Sequence, residues 1–176
     1  MDTKQKGDIA EQAAIFKALK SGWGVSRPIG DRMPYDLIFD VGGVLVMIQV
    51  KCAWFDDKIK SYIVDTRRTK TNRRIMLRER YTDKDFDFAL VYLSEVDTFY
   101  VFPVSVFINY GSAISMVEAV KRQRIPQSAM YRDAWNLILR WATSRGNSGV
   151  NLVKFGETFS GGNPEPRFDK IKSDKV

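Results

Sequence analysis

Two runs of alternating side chains, Pro34-Tyr35-Asp36-Leu37-Ile38-Phe39-Asp40-Val41 and Val44-Leu45-Val46-Met47-Ile48-Gln49-Val50-Lys51, flank the dipeptide Gly42-Gly43. Two glycines between β-type runs predict a two-residue hairpin, because the turns that suit strand twist need positive φ. Val41 then faces Val44 and, counting outward, Asp36 faces Gln49. Leu37, Phe39, Val41, Val44, Val46, Ile48 and Val50 fall on one face; Ile38, Leu45 and Met47 fall on the other. Strands apolar on both faces belong inside a sheet. Asp36, Gln49 and Lys51 share a face, because side chains alternate along a strand.

The remaining pattern predicts a chain of mixed α and β elements. Gly7 to Lys20 carries Ile9, Ala10, Ala13, Ala14, Phe16 and Leu19 and reads as a packed helix ended by Gly22. Glu11 shares a helical stripe with Ala14, Ile15 and Ala18, a small-residue face able to lie close to a sheet. Trp23 to Arg27 is expected to be a short strand, Tyr62 to Asp65 an edge strand, and the basic stretch from Thr69 to Arg80 a helix. Phe86 to Leu93 and Thr98 to Phe102 suggest a second hairpin, and Ala113 to Val117 a further strand. Ser128 to Ser144 is the clearest late helix, with Met130, Ala134, Leu137, Ile138, Trp141 and Ala142 as core or oligomer interface. After Arg145 the composition turns to glycine, asparagine and proline, and residues 147–176 are expected to form a loosely ordered tail.

Composition narrows the chemistry. The chain of 176 residues is one domain's worth and long enough to bury a core. It has no run of eighteen apolar residues and no apolar segment of a secretory signal at its start, so the expected location is cytoplasmic with no membrane partner. The single cysteine, Cys52, cannot form an internal disulfide. Histidine is absent altogether, which excludes histidine-dependent hydrolases and histidine-metal nucleases. Hydrolysis by this chain must therefore rest on carboxylates, amides, lysine and a hard ion such as Mg²⁺.

The net charge is +7, and its distribution is uneven. Between Thr66 and Arg80, the seven basic residues Arg67, Arg68, Lys70, Arg73, Arg74, Arg78 and Arg80 stand against the single acid Glu79, a local charge of +6. A second basic patch holds Lys121, Arg122 and Arg124. Guanidinium groups bind phosphate bidentately and release counterions, so these segments are candidate DNA contacts; a solvated helix face is the plainer alternative.

Directly opposed strand residues have β-carbons about 4.5–5.5 Å apart, close enough for the Asp36 carboxylate and the Gln49 carboxamide oxygen to share one cation. Structural neutralisation of Asp36 by Lys51, where the hairpin frays into solvent, fits the same pattern.

Helical Glu11, Asp36 after Pro34-Tyr35, and then Gln49-Val50-Lys51: this order resembles the PD-(D/E)xK nuclease superfamily over about Gly7 to Phe102. The string Lys6-Gly7-Asp8-Ile9-Ala10-Glu11, with the Gln49-Val50-Lys51 triplet and the arginine-rich segment, is similar to its group I intron-associated branch, that of bacterial homing endonucleases carried by cyanobacterial transfer-RNA introns. The resemblance implies an α/β (α+β) fold with a restriction-endonuclease-like core, a central mixed β-sheet flanked by helices, over residues 1–146. It implies that Asp36, Gln49, the Val50 carbonyl and Glu11 hold Mg²⁺, and that Lys51 orients or activates the attacking water. Mn²⁺ or Ca²⁺ would be able to replace Mg²⁺, Ca²⁺ without turnover. The implied substrate is a long, specific double-stranded DNA site, and the implied assembly a homotetramer, a dimer of dimers. The sequence departs from the family pattern at Gln49, where an acid is expected, and at Tyr35, which separates Pro34 from Asp36. A Holliday junction resolvase of the same superfamily and a non-catalytic DNA-binding module are the alternative readings.

Overall fold

A computed structural model of the chain describes residues 2–30, 32–72, 75–118 and 125–146. Helix α1 (Thr3–Lys20) leads into strands β1 (Gly24–Ser26), β2 (Leu37–Val41) and β3 (Val44–Cys52). Strands β4 (Trp54–Asp56), β5 (Ser61–Asp65), β6 (Arg67–Asn72) and β7 (Ile75–Arg80) follow, then β8 (Phe88–Leu93) and β9 (Thr98–Pro103). The short helix α2 (Val104–Phe107), strand β10 (Ala113–Met116), a 3₁₀ turn (Gln127–Tyr131) and helix α3 (Asn136–Gly146) complete the order. No described helix is long and apolar enough to cross a membrane.

The central sheet has the order β1-β2-β3-β8-β9, with β3 and β8 parallel and the other neighbours antiparallel. The expected hairpin is its nucleus: Val41 pairs with Val44 and Leu37 with Ile48. Gly42 and Gly43 have φ of 63° and 87°, values that carry little cost only without a Cβ. The Gly43 amide donates to the Asp40 carboxylate at 2.8 Å, tying the turn to its own strand. Every residue of β8 is buried, as its position between β3 and β9 demands.

Helices α1 and α3 cover one face of this sheet. Ala10, Ala14 and Ala18 have no exposed surface and pack, together with Trp135, Ile138 and Ala142, on Leu37, Phe39, Val46 and Ile48. Alanines at these positions let α1 approach the strands closely. Gly22, at φ 77°, ends the helix as expected: its amide donates to Leu19 O and that of Trp23 to Ala18 O, a Schellman closure. The opposite face carries a second core of Phe86, Val91, Phe102, Phe107, Ile114 and Met116, roofed by a small sheet of order β10-β5-β4.

Three expected elements differ. The segment Thr69 to Arg80 is not a helix; it lies within a two-stranded ribbon, β6 with β7, in which Arg67 pairs with Arg80 and Asn72 with Ile75. A helix would stack Lys70, Arg74 and Arg78 at successive four-residue spacings, where like charges repel, whereas the β-branched residues Thr69, Thr71 and Ile75 favour a strand. The strand at Tyr62 to Asp65 is not an edge: β5 is the middle of its sheet, between β10 and β4. The helix expected over Ser128 to Ser144 is broken. Arg132 is extended and bridges to Tyr100, Asp133 has φ 47°, and the Asp133 amide donates to Phe99 O at 2.7 Å. Pairing with β9 and the Arg132–Glu118 ion pair at 2.9 Å replace a helical turn there.

The expected tail at 147–176 lies outside the described residues, as do Arg73, Arg74, Lys121, Arg122 and Arg124.

Candidate active site

The hairpin register extends one residue beyond β2. The Asp36 amide donates to Ile48 O at 2.9 Å, which seats Asp36 opposite Gln49 at the end of the strand pair. Its Oδ2 accepts hydrogen bonds from Gln49 Nε2 at 2.5 Å and from the Val50 amide at 2.7 Å. Gln49 Nε2 also donates to the Val50 carbonyl at 3.1 Å. The amide nitrogen of Gln49 thus bridges two oxygens, one carboxylate and one carbonyl, where a small cation would find the same attraction.

Lys51 follows on the same face, but its ammonium is not ion-paired to Asp36. It donates to the carbonyl of Arg67 at 3.0 Å and lies 5.2 Å from the centroid of the Tyr81 ring. Simple neutralisation of Asp36 by Lys51 is therefore not the arrangement. Glu11 enters from α1 and pairs with Arg27 at 2.8 Å.

These groups line one cleft of about 710 Å³, which brings Glu11, Asp36, Gln49 and Lys51 together with Arg27, Tyr35, Asp65, Arg67, Arg68 and Tyr81. Burial raises the Asp36 carboxyl above the ordinary aspartate range, opposed by the Val50 amide and by the charges of Lys51, Arg68 and Arg27. Burial also raises Glu11; the charge of Asp36 adds to this and Arg27 opposes it. Lys51 is pulled below the usual lysine range by burial, against the attraction of Asp36 and Asp65. Two carboxyls that resist ionisation beside one another, with a carbonyl and a carboxamide at hand, form an oxygen-rich donor set that a hard divalent ion relieves. Among the described residues, no group of three or more His, Cys, Asp or Glu exists that would hold a metal on acids alone. The fit to a cation here therefore depends on the amide of Gln49 and the backbone of Val50.

The basic ribbon starts and ends at this cleft. Arg67 donates from its backbone amide, Nε and Nη2 to Asp65, at 2.8, 3.0 and 3.0 Å, and Arg78 pairs with the same carboxylate at 3.2 Å. These contacts hold Asp65 below the ordinary aspartate range, the Arg67 hydrogen bonds foremost. Arg68 donates to the carbonyls of Arg32 and Met33, at 3.3 and 3.1 Å, anchoring the loop before Asp36. Arg80 is exposed. Only the backbone of Lys70 is described; it pairs with Leu77.

Sequence reasoning missed Arg27, Asp65 and Tyr81. Asp65, as the carboxylate ending an apolar strand before two arginines, carried a usable signal. For Arg27 and Tyr81 the local sequence carried none.

The family model of PD-(D/E)XK endonucleases matches residues 1–138. The structure of a bacterial homing endonuclease, I-Ssp6803I, superposes with a TM-score of 0.78 at 56% sequence identity, covering 82% of this chain and 98% of that one. No match is found among the curated proteins.

Proposed function

The chain belongs to the PD-(D/E)XK endonuclease family, and from that premise we propose that it is a homing endonuclease, which cuts a specific double-stranded DNA site by metal-dependent hydrolysis of a phosphodiester in each strand. The observation that carries this reading is the convergence of Asp36, Gln49 and the Val50 carbonyl in the cleft that also holds Glu11 and Lys51.

Asp36, the Gln49 carboxamide oxygen, the Val50 carbonyl and Glu11 are the groups that would hold the divalent ion, Mg²⁺, which supplies charge stabilisation to the phosphate and acidifies water. Gln49 presents its oxygen there only after a half-turn of the amide, because its nitrogen now faces Asp36. The Lys51 ammonium orients the water for in-line attack on phosphorus and lends positive charge as negative charge grows on the phosphate oxygens. Arg27 holds Glu11 and offers its remaining N–H groups at the cleft wall. The ribbon arginines, with Lys70, Arg73 and Arg74, and the patch of Lys121, Arg122 and Arg124 are the proposed DNA contacts. Backbone contacts of this kind set register; those to base edges set sequence. Residues 1–146 constitute the nuclease domain. The proposed assembly is a homotetramer, a dimer of dimers, for which exposed Phe16 and Leu19 on α1 and Leu139 on α3 offer apolar surface.

The test is cleavage of DNA drawn from a randomised or intron-flank library, with products sequenced. Wild-type protein is expected to cut discrete sites with Mg²⁺ or Mn²⁺, to bind without cutting in Ca²⁺, and to do nothing in EDTA. Asp36→Asn and Lys51→Ala are expected to bind DNA in Ca²⁺ but not to cut it. Full cleavage by either variant would refute the site.

A further inference from the structure

The Lys51 ammonium is held by the two feet of the basic ribbon. At the near foot, the carbonyl of Arg67, first residue of β6, accepts its hydrogen bond at 3.0 Å. At the far foot, Tyr81 follows Arg80, the last residue of β7, and lies with its ring centroid 5.2 Å from Nζ. Arg67 and Arg80 are themselves a paired position of the ribbon, so the two contacts stand on either side of one rung.

The ring is fixed from behind. Tyr81 is 7% exposed, and it packs edge-on to Phe86 at 5.0 Å and near Phe107 at 6.4 Å, both part of the core beneath the small sheet. Lys51 therefore meets a rigid aromatic face and a rigid carbonyl, neither of which is an anion. That combination suits a lysine that must stay close to Asp36 without closing an ion pair on it. A ring face attracts an ammonium through its quadrupole, most strongly in a desolvated site, and leaves its other N–H groups free for water or phosphate.

We propose that Tyr81 is a positioning residue for cleavage: its ring, together with the Arg67 carbonyl, fixes the Lys51 ammonium in its water-orienting place, an inference that rests on the role proposed for Lys51 above. The phenol oxygen takes no part. Because both contacts sit at the ribbon's feet, DNA lying on the ribbon bears directly on the two groups that aim the lysine.

The test replaces Tyr81 with phenylalanine and then with 4-fluoro-, 3,5-difluoro- and pentafluorophenylalanine, a series that keeps the ring's shape while draining its negative face. Single-turnover cleavage with Mg²⁺, DNA affinity in Ca²⁺ and melting temperature are read for each. Tyr81→Phe is expected to cut at the wild-type rate. Across the fluorinated series the cleavage rate is expected to fall progressively, about 3- to 30-fold in total, with DNA affinity and melting temperature held within twofold and a few degrees. A flat or rising rate across the series overturns the inference, as does a fall that merely follows melting temperature. Tyr81→Leu serves as the coarse control, expected to lose at least as much rate as the pentafluoro variant. Failure of the underlying reading is separately visible: Lys51→Ala would then cut like wild type, whereas a flat fluorine series with inactive Lys51→Ala removes only the role of Tyr81.

Discussion

Replacing Gln49 with glutamate restores the acid that the family pattern expects and inverts the local electrostatics. The Gln49 amide nitrogen donates to Asp36 Oδ2 and to the Val50 carbonyl, at 2.5 and 3.1 Å; a carboxylate would present oxygen to both. Loss of a hydrogen bond to a charged acceptor costs about 1.5–3 kcal/mol. Two carboxylates about 4 Å apart repel by roughly 4 kcal/mol at an effective dielectric of 20. The repulsion has a ceiling, because taking up one proton at pH 7 costs a carboxyl of ordinary pKa about 3.7 kcal/mol and removes it while restoring a hydrogen bond. The metal-free Gln49→Glu protein is therefore expected to lose about 3–4 kcal/mol, or roughly 6–15 °C in melting temperature for a chain of this size.

The pH dependence has a definite sign. A carboxyl whose folded pKa is raised binds its proton more readily folded than unfolded, so its cost is absent below the unfolded pKa and grows as pH rises through the folded one. Asp36 is already raised, and a second carboxylate raises the pair further. The melting deficit of Gln49→Glu should accordingly shrink as pH falls toward about 4. Mg²⁺ reverses the balance, since the added charge attracts it. Thermal melts with and without Mg²⁺ should show a larger metal-induced rise in Gln49→Glu than in wild type, and cleavage should half-saturate at lower Mg²⁺. Equal melting temperatures without metal, together with equal Mg²⁺ shifts, would refute the placement of Gln49 against Asp36.

Two further predictions address the frame and the ribbon. Ala14 is fully buried between α1 and the sheet, so Ala14→Leu should cost about 1–3 kcal/mol by overpacking, lower the melting temperature by about 3–10 °C and reduce cleavage by displacing Glu11 one turn away; a thermal scan and a cleavage assay on one preparation decide it. Arg67→Ala leaves its carbonyl on Lys51 but removes a guanidinium, so if that group contacts a phosphate, the slope of log affinity against log salt should flatten by about one unit, with the cleavage rate of bound DNA preserved. An unchanged slope would remove Arg67 from the DNA contacts.

The hairpin at the centre of the site was legible because its determinants are adjacent in sequence. Gly42 and Gly43 adopt positive φ, the turn sets the register, and strict alternation then carries Asp36, Gln49 and Lys51 to one face. The small-residue stripe of α1 was legible for the same reason, since helical periodicity placed Glu11 beside Ala14 and Ala18 before any sheet was known. The lack of histidine limited the chemistry without reference to any fold.

What joins elements distant in the chain belonged to the tertiary structure. Lys51 finds a carbonyl sixteen residues on, Glu11 an arginine sixteen residues on, and both partners depend on how strands and helix are brought together. The break at Arg132 arises likewise: the local pattern favoured helix, and the contacts to β9 outweighed it. Turn geometry and alternation act over a few bonds and leave their mark in the sequence. A side chain's partner across the fold is selected by packing of the whole, and only the assembled structure names it.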